Sequence, residues 1–239
     1  MKYIVIACLA LALLYVIYES IRISRLVRVS SQLVADARPY QSEVGDISIL
    51  VLGDSTAVGV GAATPETSVA GMLAVALSAS VENYAKSGAV TADLAGQVEL
   101  AKREQYDFAL IQIGANDIIR FHTPDKVQTE LEEALGVLSK KYDRIILLTA
   151  GKVGNAAFFP RPFNVLWTWH ASKVRARFME TAAKMDFAYV DLYTVDDPMS
   201  ADPKRYYAAD GLHLTSDGYG FWFDEVRKTI RIHWPETAI

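Results

Sequence analysis

The sequence predicts an α/β fold: a three-layer α/β/α sandwich built on a five-stranded parallel sheet and preceded by an N-terminal hydrophobic helix. Three observations point there. From residue 47 onward, short apolar runs of strand length alternate with longer helical patterns, as in successive βαβ units. Several of those runs are almost continuously apolar, as strands covered by helices on both faces must be. Polar residues able to do chemistry then cluster just after the runs, where open α/β sheets bind their ligands.

Taken in order, "ISILVL" (47–52) is the first predicted strand and "SVENYA" (80–85) a shorter second. "FALIQIG" (108–114), "RIILLTA" (144–150) and "FAYVDLY" (187–193) follow as the third, fourth and fifth. Between them, amphipathic stretches at 66–79, 91–104, 124–141 and 165–185 read as helices, and a last helix begins after Thr215. Thr123 followed by Pro124 gives the third of these a start signal, because proline at the first helical position lacks an N–H that would go unsatisfied anyway. No internal repeat or low-complexity tract interrupts the pattern.

The N-terminal segment is of another kind. Tyr3 to Tyr18 contains no charged residue, and Arg22, Arg25 and Arg28 follow it. At 1.5 Å per residue the run extends about 24 Å, somewhat short of a hydrocarbon core of about 30 Å unless its flanks snorkel. It ends in bulky Tyr15, Val16, Ile17 and Tyr18, whereas a cleaved leader wants small residues there. Residues 1–21 are therefore expected to be a membrane anchor or uncleaved signal, 22–46 an amphipathic connecting segment, and 47–239 the globular domain. The expected localisation is membrane-associated through a single-pass anchor. The side of the membrane stays open: the arginines after the segment favour a cytoplasmic domain, yet Ile21, Leu26, Val29 and Leu33 would let 21–34 lie in an interface on either side.

Composition excludes several functions. With 24 Lys and Arg against 28 Asp and Glu, the chain lacks the basic surface that nucleic-acid phosphates require. Its single cysteine, Cys8, rules out an internal disulfide or a cysteine-rich zinc site. No two histidines have the i, i+4 spacing of a zinc helix, so no metal is expected, and no motif asks for a cofactor.

The residues after the strands suggest nucleophilic chemistry. Ser55, in "LGDSTAVGVGA", sits where a strand turns sharply into small residues that leave room for a substrate. The segment does not match the G-x-S-x-G elbow, because Ala57 stands at the second glycine position. In "DGLHLTSDG", Asp210 and His213 are three apart, which lets the carboxylate orient the imidazole while the other ring nitrogen faces a serine. Asn116, in "IQIGANDI", can donate its side-chain amide to a developing oxyanion, and Gly88, in "KSGAV", can offer a backbone N–H to the same space. Each has an ordinary explanation if taken singly: a helix cap, a loop cap, a turn glycine.

Jointly, the blocks "GDS", "SGA", "GAND" and "DGLH", in this order and spacing, resemble the SGNH hydrolase superfamily of GDSL-type esterases and lipases over about residues 47–232. The resemblance implies a flavodoxin-like sandwich and a serine esterase or lipase that cleaves carboxylic esters or thioesters through an acyl-serine. It implies Ser55, Asp210 and His213 as the catalytic residues, and Ser55, Gly88 and Asn116 as the oxyanion hole. Thr56 stands where the family name has leucine, which bears on subfamily and substrate. Asp54 and Asp117 also belong to the blocks and are read as structural anchors of their loops.

Two alternatives stay open: an acyltransferase or deacetylase acting on envelope glycans, and a non-catalytic, membrane-tethered binding protein on a hydrolase fold. The aromatic stretch "NAAFFPRPFNVLWTWH" (155–170) is expected either to line an acyl-binding cleft through Phe158, Phe159, Phe163 and Trp167, or to fill core beneath a long loop. The expected partners are a small-molecule or lipid ester and, through the N-terminal segment, a membrane.

Overall fold

The computed structural model describes all residues except Lys141, Asp143, Asp196, Asp197 and Ala238. In chain order the elements are α1 (Lys2–Asp36), β1 (Ile47–Gly53), α2 (Ser55–Val58), α3 (Val69–Leu77), β2 (Ala79–Asn83), α4 (Leu94–Val98), β3 (Phe108–Gln112), α5 (Ala115–Ile119), α6 (Pro124–Leu138), β4 (Ile145–Leu148), α7 (Val165–Met185), β5 (Ala188–Val190), α8 (Pro203–Tyr206) and α9 (Ser216–His233). The five strands form one parallel sheet in the order β2-β1-β3-β4-β5. This is the flavodoxin-like order, and its switch point falls between β1 and β3, where connections leave in opposite directions.

Alternation of side chains divides the core in two. Leu50 and Leu52 of β1, with Ala109 and Ile111 of β3, pack against Val127, Leu131 and Leu135 of α6 and Val174 and Phe178 of α7. On the other face, Ile49, Val51, Phe108 and Leu110 meet Val69 and Leu73 of α3 and Tyr219, Trp222, Val226 and Ile230 of α9. Those α9 positions recur every three or four residues, which puts them on one stripe facing the sheet. Fully burying one such side chain contributes about 1.5–3 kcal/mol.

The predicted strands and helices are present, with differences that have local causes. The helical reading of 91–104 shrinks to a single tight turn at Thr91–Asp93 followed by α4. Glu82 explains this: its carboxylate accepts hydrogen bonds from the Lys102 backbone N–H (3.2 Å) and the Tyr106 hydroxyl (2.6 Å), which hold that stretch as a loop. The fifth strand ends at Val190, because Asp191 turns away to a bidentate pair with Arg175 at 2.7 and 2.5 Å. Helix α6 ends at Leu138, and the predicted helix end at Lys141 lies outside the described residues.

Helix α1 runs unbroken through the expected boundary at residues 21 and 22, ending at Asp36, and buries no residue. It is long and apolar enough to cross a membrane. The chain then reaches β1 along the sheet edge, where Ser42 bridges Val81 of β2.

Candidate active site

Ser55 is delivered by the sharp end of β1. Gly53 has φ +139°, and a Cβ there would stand 1.9 Å from the Gln112 carbonyl oxygen, so the strand can turn only on a glycine. Asp54 then caps α2, its Oδ1 accepting from the Thr56 backbone N–H (2.9 Å) and hydroxyl (2.8 Å). Gln97 of α4 grips the same turn from behind, accepting from the Gly53 N–H at 2.7 Å and donating to its carbonyl at 2.9 Å. Gln97 escaped the sequence reading, although a glutamine on the apolar stripe of Leu94 and Val98 was its signal.

The turn before α9 brings the other two groups. Asp210 is fully buried, and its Oδ1 accepts from the backbone N–H of Leu212 and of His213, each at 3.0 Å. Its Oδ2 lies 2.6 Å from His213 Nδ1, and His213 Nε2 lies 3.1 Å from Ser55 Oγ. Burial alone would raise the Asp210 carboxyl, but the hydrogen bond and charge of His213 and the two backbone donors outweigh it and hold it below the usual carboxylate range. The turn itself is tied by the Ala208 N–H donating to the His213 carbonyl at 2.8 Å. Such a chain can pass a proton from a hydroxyl to an imidazole whose other nitrogen is fixed by a carboxylate.

Asn116 belongs to the first turn of α5, a short helix that was not among the predicted ones. Its Nδ2 donates to the Ala89 carbonyl at 2.9 Å, which uses one amide hydrogen and leaves the second. Gly88, at φ +83°, carries a turn that L side chains rarely adopt, and Arg120 braces it by donating to the Gly88 carbonyl at 3.1 Å. Among the described residues, neither the Ser55 N–H nor the Gly88 N–H has an intramolecular acceptor. Asp117 is fully buried and ties three pieces together: it accepts from the Thr91 N–H (3.0 Å) and hydroxyl (2.9 Å), and its Oδ1 lies 2.9 Å from His122 Nδ1.

A cavity of about 240 Å³ opens over these groups, lined by Ser55, Gly88, Asn116 and His213. Its apolar wall comes from Ile119, Val153, Ala156, Leu192, Met199 and Leu214. The aromatic residues proposed for that wall lie elsewhere: Phe158, Phe159, Phe163 and Trp167 are not among the lining residues. Phe159 is buried and stacks on Trp167 at 4.7 Å, and the Trp167 indole N–H donates to the Ile119 carbonyl at 3.3 Å. These rings therefore pack behind α5, which carries Asn116, while Phe163 is 53% exposed on the outside. A stretch of aromatics around two prolines looks the same in sequence whether it faces a cavity or the back of a helix. Among the described residues, no group of three or more His, Cys, Asp or Glu is arranged to hold a metal ion.

The fold and the placement of this site define a class, the flavodoxin-like SGNH hydrolases. The chain belongs within it to the GDSL-like lipase/acylhydrolase family, whose model matches residues 51–221. A GDSL-like esterase of Mycobacterium tuberculosis is 25% identical over 197 residues, covering 78% of this chain and 62% of the relative, so the chain spans less than two thirds of that protein's length. Among solved structures, an extracellular lipase of Streptomyces rimosus superposes with a TM-score of 0.65 at 17% identity, over 77% of this chain and 99% of the lipase. The acetylxylan esterase Axe2 of Geobacillus stearothermophilus does so with a TM-score of 0.57 at 20% identity, over 78% of this chain and 94% of the esterase. Likeness at these identities is a likeness of fold.

Proposed function

We propose that the chain is a serine ester hydrolase in which Ser55 attacks the ester carbonyl. The observation that carries this is the unbroken hydrogen-bond chain from Ser55 Oγ through His213 to Asp210, with Ser55 and His213 lining a cavity. His213 Nε2 takes the hydroxyl proton as the Oγ–carbon bond forms, and returns it to the leaving alkoxide as the ester bond breaks. Water repeats the sequence on the acyl-serine, releasing the acid and restoring the hydroxyl. Asp210 keeps the imidazole in the tautomer that leaves Nε2 unprotonated and supports the imidazolium when it forms. The N–H groups of Ser55 and Gly88 and the spare amide hydrogen of Asn116 receive the oxyanion.

At about 240 Å³ the cavity lies just below the range of about 300–1,000 Å³ usual for small-molecule pockets, which favours short or medium acyl groups over long lipid chains. Family membership and the esterase named among the relatives support ester cleavage. We also infer that α1 tethers the domain to a membrane, since its first half carries the uncharged run from Tyr3 to Tyr18.

The test is turnover of p-nitrophenyl acetate and octanoate by the full chain and by Ser55→Ala, with fluorophosphonate labelling of both. The wild type should turn over both esters and be labelled, and the variant should do neither. Equal rates for the two proteins would discard the assignment.

A further inference from the structure

The catalytic cavity has a wall that comes from outside the family's matched segment. Ser30 and Val34, one turn apart on α1, line it together with Ser55 and His213. Helix α1 contributes no side chain to either core cluster, so the sandwich does not need it in order to pack. It is held instead by a polar latch. The Arg22 guanidinium donates to the carbonyls of Ala157 (2.7 Å) and Phe158 (3.0 Å), and Glu19 accepts from the same guanidinium at 2.8 Å. About two turns further back, the Tyr15 hydroxyl donates to the Arg161 carbonyl, and its ring meets Phe163 at 6.5 Å. The gripped segment directly follows Ala156, itself a cavity residue. Ser30 lies eight residues beyond Arg22, about 12 Å along a rigid helix, so the latch fixes where the wall stands.

We propose that α1 is a working part of the substrate site: Val34 and Ser30 bound the space available to the ester, and Arg22 positions them by latching the helix to residues 157 and 158. The proposal rests on the ester hydrolase reading given above and adds to it a specificity element. One helix thereby carries both the apolar N-terminal run and a wall of the cavity, so displacing the helix changes what the site accepts.

The experiment uses the full chain. Val34→Trp fills the wall position, and Val27→Trp, on an exposed part of the same helix, controls for the added ring. The ratio of kcat/KM for p-nitrophenyl octanoate to that for the acetate should fall at least about tenfold in Val34→Trp, the scale on which an apolar pocket discriminates by size. It should stay at the wild-type value in Val27→Trp. The same ratio in Val34→Trp as in wild type overturns the proposal. A second measurement does not depend on turnover: spin labels at Gln32→Cys and Lys86→Cys, in a Cys8→Ser background, should give one narrow distance distribution that broadens when Arg22→Ala is added. A broad distribution with the latch intact also overturns the proposal. If the wild type and Ser55→Ala hydrolyse esters equally, it is the hydrolase reading that has failed, and the spin-label distances still decide whether α1 stands at the cavity.

Discussion

Nδ1 of His213 lies 2.6 Å from Oδ2 of Asp210, a carboxylate with no exposure to solvent, and the partner oxygen of that carboxylate is occupied by two backbone N–H groups. Every lone pair that matters on Asp210 is thus spent on holding one turn and one ring. Asp210→Asn keeps the size of the side chain but offers His213 a donor where it needs an acceptor, which favours the wrong tautomer. The expected loss in kcat is about 10⁴-fold, as for the corresponding change in the serine protease triad. Steady-state kinetics check it, with circular dichroism to show that the fold is kept. A loss smaller than tenfold would contradict the assigned role.

Asn116 gives a prediction of a different size. One amide hydrogen is committed to Ala89, so Asn116→Ala removes both a loop tie and a proposed oxyanion donor. Deleting one donor of this kind typically lowers kcat by about 10²- to 10³-fold. KM should change little, because the interaction strengthens only as charge develops on the carbonyl oxygen. A variant that lost affinity for substrate but kept kcat would show that the amide binds the ground state instead.

Asp117, the next residue along, should behave in the opposite way. Its oxygens meet Thr91 and His122 rather than the cavity, so it joins the loop after Gly88 to the start of α5. Asp117→Asn can keep an oxygen on the two Thr91 donors only by turning its amide to His122 Nδ1, which forces that ring into its accepting tautomer and replaces buried hydrogen bonds to a carboxylate by neutral ones, a change that costs about 1–3 kcal/mol. Chemical denaturation should register that loss, while kcat at a temperature where the variant is folded stays within about tenfold of wild type. Full stability combined with complete loss of activity would show that Asp117 acts in the chemistry.

The difference in legibility between parts of the molecule follows from which interactions are local in the chain. Strands such as Ile49–Leu52 announce themselves because burial on both sheet faces demands an uninterrupted apolar run. Ser55, Asp210 and His213 were legible as a set through the joint resemblance of their blocks to a known family, and the structure brings the three within hydrogen-bond reach of one another. Gln97 was only half legible: its place on an apolar stripe marks it as buried, but its partner is the backbone of Gly53, 44 positions away, and nothing near Gln97 names that partner. The aromatic stretch was ambiguous for a related reason. Phe159 and Trp167 satisfy the same apolar pattern behind α5 as they would in a cleft. Helix α1 appeared as an anchor because its composition is strong, whereas its contact with the cavity depends on a latch to carbonyls, which have no signature in sequence.

Asp54 carries a prediction about pH. It is fully buried, its Oδ1 is satisfied by Thr56, and its Oδ2 has no hydrogen-bond partner. Burial outweighs the Thr56 hydrogen bonds and pushes the carboxyl up from its ordinary 3.8 to about 6. Between those two values the folded protein retains a proton that the unfolded chain has lost. Stability therefore falls as pH rises through this window, by about 3 kcal/mol in total for a shift of this size. Asp210, held below its ordinary value, acts in the other direction and only at lower pH, since its contribution is complete above that ordinary value and is lost as the medium becomes more acid than its folded one. The buried His170, whose imidazole is pushed down by burial, titrates alike in any Asp54 variant and cancels in the comparison. Asp54→Asn removes the titration while keeping an oxygen for Thr56. Its unfolding free energy relative to wild type should rise by about 3 kcal/mol between about pH 4 and about pH 7.5. Urea unfolding followed by tryptophan fluorescence measures this directly, and parallel pH profiles for the two proteins would mean that Asp54 is already ionised in the folded state at acid pH.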